Sequence, residues 1–254
     1  RWKPQVGKSQ IRIVPSAYNE KTPFTEVQIH YQITNPVMIS PLNFGEKDPI
    51  YEFAEKLREG EYDKENFILS KKLEPKVRTF VPVVVRGEED KGVRLWEFGK
   101  TMYQDLINLA LDDEVGDYTD VSDGRDLVVD TVGPESTGTA YNKSTIRVKL
   151  KTSPLSEDKD QVQEWLKNQP NPFDQFKRYS YQEMKDALAK WISPEESSNE
   201  ETTPLSNLPE KEKEESKPKK ENPLESTNYI GDKGKKEPKE KKSKKDEIDQ
   251  LFNE

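Results

Sequence analysis

Two neighbouring runs of this chain alternate cations and aromatic rings with core-type residues. Positive charge for phosphates and flat rings for bases are the two requirements of single-stranded nucleic-acid binding. Over residues 76–86 an extended backbone puts Val77, Thr79, Val81, Val83 and Val85 on one face and Lys76, Arg78, Phe80 and Arg86 on the other. After a polar turn at 87–92, Arg94, Trp96 and Phe98 share a face opposite Val93 and Leu95. The expected contacts from this alternation are Arg78, Phe80, Arg86, Arg94, Trp96 and Phe98. Valine-rich strands with solvated polar faces give a similar pattern, so the rings carry the reading. Fully burying each is worth about 1.5–3 kcal/mol, so either a second layer or a ligand must cover them. Trp96 and Phe98 exposed beside Arg86 and Arg94 would mark a nucleic-acid binder. The same rings buried under helices would favour the alternative, a protein-interaction adaptor.

These residues need a sheet to hold them. Strands are expected at 10–16, 25–33, 67–73, 76–86, 93–98, 126–132 and 145–151, where apolar residues alternate or cluster between turn signals. Arg147, Lys149 and Lys151 oppose Ile146, Val148 and Leu150 in the last of these, and the loop before it carries Tyr141 and Lys143. Helical spacing predicts helices at 49–60, 100–111, 161–168 and 181–191, the last opened by a capping box at Ser180-Tyr181-Gln182-Glu183. The fold class is therefore mainly β (α+β): an OB-type β-barrel core with flanking helices, a sandwich being the alternative.

Composition limits how much of the chain packs. Only 31% of the 254 residues are hydrophobic and 35% are charged, with a mean hydropathy of −1.05. The polar excess sits beyond Ile192, where Glu, Lys, Ser and Pro dominate and disorder is expected. Residues 1–194 are read as the binding core, 195–245 as a disordered charged linker and 246–254 as an acidic amphipathic tip. In that tip Asp246, Glu247, Ile248, Asp249, Leu251 and Phe252 would dock on a basic groove of a partner. The net charge of −8 divides evenly between the core and the remainder, so binding needs a local positive groove rather than a basic domain.

Much chemistry is excluded. His30 is the only histidine and there is no cysteine, which removes histidine-based triads, thiolate metal sites and disulfides. No phosphate-cradling glycine motif occurs, and the acidic stretch 112–123 reads as a solvated loop rather than a magnesium cluster. No apolar run approaches the ~20 residues that cross a membrane. The expectation is a binder, with no enzymatic activity, cofactor or metal. The chain starts at Arg1 rather than Met, which leaves room for a segment before it.

In order and spacing the chain resembles the single-stranded DNA-binding (helix-destabilising) replication proteins of T-even and related bacteriophages. The matching residues are Gln10-Ile11-Arg12-Ile13-Val14-Pro15-Ser16, Pro23-Phe24 with His30, Lys71-Lys72, Val84-Val85-Arg86, Phe98-Gly99-Lys100 with Tyr103, Asp123-Gly124 with Leu127-Val128-Val129, and Tyr141. The resemblance implies an OB barrel with an inserted subdomain at 36–60 and a cleft for single-stranded DNA. It implies Lys71, Lys72, Arg86 and Lys100 as backbone contacts and Trp96 and Tyr141 as stacking or cleft residues, to which the basic loop and strand add Lys143 and Arg147. It implies phage replication and recombination proteins as partners of the tail, self-association along the strand, a role in replication, recombination and repair, and a host-cytoplasmic location. Binding to RNA instead stays open, because stacking does not read the sugar. The family's zinc site uses one histidine and three cysteines. Here His30 matches the histidine, but Ser40, Asp48 and Tyr51 stand where cysteines would be, so no zinc is expected. Packing of Phe44, Ile50, Phe53 and Leu57 would hold that segment instead. The family's basic N-terminal arm, which drives cooperativity, is not visible before Arg1.

Overall fold

In the computed structural model, residues 1–193 are described; the linker expected at 195–245 and the tip expected at 246–254 lie outside them. The chain divides between Leu188 and Ala189. Seven strands form one antiparallel sheet: β1 (Gly7–Ile13), β2 (Thr25–His30), β3 (Met38–Ile39), β4 (Lys76–Val85), β5 (Arg94–Phe98), β6 (Arg125–Val132) and β7 (Lys143–Thr152). Their order is β3-β2-β4-β1-β6-β7, with β5 paired to β4 alone. Six α-helices accompany them: α1 (Pro49–Lys56), α2 (Lys64–Leu73), α3 (Lys100–Ala110), α4 (Pro134–Thr137), α5 (Lys159–Lys167) and α6 (Tyr181–Ile192).

The sheet is open, which corrects the expected OB-type barrel. Among the described residues no ladder joins β7 or β3 to another part of the sheet, so the ring is not closed. A second correction concerns 67–73, which is the end of α2 and not a strand. The Asp63 carboxylate accepts from the amides of Glu65 and Asn66 and starts a helix whose last turn holds Lys71 and Lys72, where cations suit the helix dipole. The capping box at Ser180 is present: the Glu183 carboxylate accepts from the Ser180 amide at 2.7 Å and opens α6.

The ten-residue β4 is central. Its first half pairs with β2, its second half with β1, and β5 lies along residues 79–83. From Thr79 to Val85 every residue of it is buried. On one side Val81, Val83 and Val85 join Ile11, Ile13, Trp96, Phe98, Leu127 and Val129, with α3 packed over them through Leu106. On the other side Phe80 packs with Val27, Ile29, Ile39 and Leu95, under Phe44, Phe173 and Phe176. Further along, Val84 joins Val14, Leu155 and Trp165 of α5.

Two buried polar networks fasten this sheet. In the first, the fully buried Arg12 guanidinium donates to the Ser153 and Asp120 carbonyls and to Asp126, which also takes the Arg86 guanidinium at 2.9 Å. Burial opposes ionisation of Asp126, but the Arg86 hydrogen bonds and charge outweigh it and hold the carboxyl below its usual range. Gly124 closes the loop over Arg12. A Cβ there would overlap the Asp120 carbonyl and stand 2.8 Å from the Tyr118 carbonyl and 2.6 Å from the Arg12 guanidinium.

The second network occupies the positions where the resemblance implies zinc ligands. The His30 Nε2 lies 2.8 Å from Asp48 Oδ2, and its Nδ1 donates to the Leu73 carbonyl at 2.9 Å. The Ser40 hydroxyl donates to Asp48 Oδ2, while Asp48 Oδ1 caps α1 by accepting from the Ile50 and Tyr51 amides. Both ring nitrogens are engaged, one by a backbone carbonyl and one by the Asp48 carboxylate. These donors do not fit zinc: there is no thiolate, the imidazole is committed at both nitrogens, and the carboxylate is already saturated. Ile50 and Phe53 are fully buried beside the network, so packing shares the work as expected, and the hydrogen-bonded pair adds to it.

Two stability predictions follow from these networks. Burial pushes the Asp48 carboxyl up, but the hydrogen bonds and charge of His30, with Ser40, leave it below its ordinary value. A depressed folded value contributes stability above the unfolded carboxylate pKa of about 3.9, lost as pH falls through the folded value. Resistance to urea should therefore fall below about pH 4. Asp48→Asn should cost about 1–3 kcal/mol at neutral pH, by taking the Oδ2 acceptor from His30 and Ser40, and should flatten that acid slope. Gly124→Ala should cost about 3 kcal/mol in the same assay, because backbone rather than a side-chain tip blocks the new methyl.

Candidate nucleic-acid interface

A group of cationic and aromatic side chains gathers at one end of β5. Three adjoining depressions, of about 400, 560 and 450 Å³, form a continuous groove there. The first is lined by Tyr31, Asn35, Phe176 and Lys177, and shares Arg1 and Glu97 with the second. The second adds Lys3, Arg78, Trp96 and Phe98. Tyr141 and Asn142 continue into the third, with Lys100, Asp105 and Lys143. Six cations therefore face two carboxylates in a chain that is acidic overall. Such a groove focuses a positive field locally.

Each cation has a structural reason to be there. Arg1 is brought in by Trp2, whose amide donates to the Leu95 carbonyl and whose ring packs edgewise on Trp96 at 5.5 Å. Its guanidinium lies over Phe176 at 4.5 Å and Phe80 at 5.6 Å. Arg78 leaves the end of β4 and rests on Gly99; a Cβ at that glycine would stand 2.9 Å from the guanidinium. Lys100 begins α3, whose N-cap is Gly99 with no side-chain hydrogen bond. Among the described α-helices α3 alone has no acidic residue in its first turn. Its first amides and dipole face the groove without a carboxylate to satisfy them. Tyr141 comes from the segment between α4 and β7 and is 71% exposed, and Lys143 opens β7.

The structure gathers Arg78, Trp96, Phe98, Lys100, Tyr141 and Lys143, and it separates the other sequence-derived candidates from the groove. Phe80 is fully buried in the core below Arg1. Trp96 and Phe98 are 2% and 5% exposed and pack at 4.8 Å against each other, so they shape the groove wall but offer no face for stacking. Alternation sorted residues within each strand, but the register sets Trp96 across from Val81 and Phe98 across from Thr79, so the rings share the valine core face, opposite Phe80, and both sides of the two strands are covered. Arg86 is held by Asp126 and the Leu155 carbonyl, and Arg94 by Glu88. Lys71 pairs with Glu74, its neighbour Lys72 lies on the same last turn of α2, and Arg147 approaches Asp130 at 3.9 Å on the exposed β7. Burial of Trp96 and Phe98 is the outcome the adaptor reading expected.

Sequence reasoning missed Arg1, Lys3, Tyr31, Glu97 and Lys177. Arg1-Trp2-Lys3 carried the same cation–ring signal as β4, in a segment too short to read as an element. Tyr31 falls in the strand expected at 25–33; it lies just beyond the end of β2, and its hydroxyl reaches Glu97. Burial and that carboxylate raise the hydroxyl above its ordinary pKa, against the opposing charge of Arg78.

No curated protein matches the chain. A family described as gp32 DNA binding protein like does, over residues 5–192. That span holds every strand and helix described above, and it decides against the adaptor: the chain belongs to the gp32-like family of DNA-binding proteins.

Proposed function

We propose that this chain binds single-stranded DNA, without sequence preference, along the groove from Lys177 to Lys143. The observation that carries this reading is the concentration of cations beside the exposed Tyr141 ring, in a member of a DNA-binding family. Cations follow the phosphates, while Tyr141 and the 37% exposed Tyr31 stack on any base, at about 1–3 kcal/mol per base. The uncapped first turn of α3 adds amide donors for a phosphate. A groove of this kind suits a coat for DNA strands exposed during phage replication, recombination and repair inside the host cell. Recruitment of replication proteins by residues 246–254 belongs to the same reading, although those residues lie outside the described part.

Tryptophan fluorescence tests it, because Trp2 and Trp96 line the groove. Titration with oligo(dT) should quench emission, duplex DNA of equal length should not, and log K against log salt should slope at about −2 to −4 for a few phosphate contacts. Absence of quenching at low salt would refute the reading. Tyr141→Ala should weaken binding about 10-fold or more, at the stacking energy given above.

A pair of arginine variants separates groove from scaffold. Arg78→Ala should weaken binding and leave the urea midpoint nearly unchanged. Arg86→Ala should do the reverse, costing about 1.5–3 kcal/mol of stability by removing charged hydrogen bonds to Asp126.

A further inference from the structure

The two carboxylates of the groove are not equivalent. Asp105 sits at the rim on α3, whereas Glu97 belongs to both of the first two depressions. It projects from β5 on the side opposite Trp96 and Phe98, across from Phe80 in the β4 register. Its two oxygens are divided between two guanidiniums: Oε2 meets Arg1 Nη1 at 3.1 Å, and Oε1 meets Arg78 Nε at 3.0 Å. The Glu97 side chain is 17% exposed, and its partners are 30% and 31% exposed. All three therefore stand at the groove surface, not beneath it.

We infer that Glu97 is a built-in stand-in for a DNA phosphate: it occupies the Arg1–Arg78 pair in the free protein and must yield that pair when a strand enters. The inference rests on the groove reading above. A phosphodiester carries two non-bridging oxygens and one negative charge, and it is bound by paired guanidiniums as a carboxylate is. Both arginines are already fixed for such a ligand. Arg1 lies on the Phe176 ring and also donates to the Gln175 carbonyl at 3.0 Å, and Arg78 rests on Gly99. A phosphate arriving there finds donors in place but already neutralised. Glu97 therefore lowers affinity and salt dependence together. It also keeps two guanidiniums from collecting other anions, and it lets the strand leave. For a protein that must coat DNA and then surrender it to enzymes, that weakening has a use.

Glu97→Gln keeps the shape and one acceptor for the arginines but removes the charge. Oligo(dT) titrations of wild type, Glu97→Gln, Arg78→Ala and the double variant, at several salt concentrations, test the inference. The expected result for Glu97→Gln is about 10-fold tighter binding and a salt slope steeper by about 0.7, one further phosphate for a single strand. That gain should largely vanish in the Arg78→Ala background, since the two residues then share one term of the cycle. Glu97→Ala, which loses the side chain altogether, should also bind more tightly than wild type. Weaker binding by both Glu97 variants would make Glu97 a scaffold that aims the arginines and would overturn the inference, as would unchanged affinity and slope. If Arg78→Ala binds like wild type, the groove reading itself fails, and the inference falls with it by a separately visible route.

Discussion

Strand β4 has no solvent face between Thr79 and Val85, and most of the molecule follows from covering it twice. Its backbone is paired along both edges by β1, β2 and β5, so it cannot shift register without breaking three ladders. Its side chains need one layer from α3 and the β6 side and another from the Phe44, Phe173 and Phe176 segment. At its Lys76–Arg78 end the covering stops, and Glu97 of β5 beside it is only partly covered. The groove is where that double layer runs out, which is why Arg78 and Glu97 face solvent there and Phe80 does not.

The arginines divide into two classes by the same geometry. Arg12 and Arg86 sit where β1, β4 and β6 meet, and Asp126 neutralises both; removing that carboxylate would leave a fully buried guanidinium without its partner. Arg1 and Arg78 sit at the open end, where water and a ligand can compete for them. The residue type is the same in both places. Burial decides whether it holds the fold or meets a partner.

Most elements were legible in the sequence because their periods are clean. The capping box at Ser180, the Pro49 start of α1 and the alternation in β4, β6 and β7 all report local backbone preferences. Closure of the sheet was not legible, because it depends on whether β5 and β7 meet, and neither strand's pattern records its neighbour. The site was half legible for a similar reason. Alternation places Trp96 and Phe98 on one face but is silent on what lies over that face, and here Trp2 and Phe24 do. Arg78 was found by alternation and Lys143 through its basic loop, whereas Lys100 and Tyr141 came from the family resemblance; Tyr31 and Lys177 come together only through the tertiary fold.

An acidic chain can present a positive groove only if its carboxylates are engaged elsewhere, and here many of them are. Asp48, Asp63 and Asp158 cap α1, α2 and α5; Asp117 and Asp120 accept from amides of their own loop; Glu88 and Asp126 hold Arg94, Arg86 and Arg12. Negative charge is thus drawn to helix N-termini and buried arginines, where it stabilises structure. The helix left out of this arrangement is α3, which opens on a bare glycine beside Lys100 at the groove. Placing an aspartate at Gly99 would give α3 the cap its neighbours have, but it would set a Cβ against Arg78 and a carboxylate in the groove. With glycine at that position the helix forgoes only a few tenths of a kcal/mol of capping, and the groove keeps its charge.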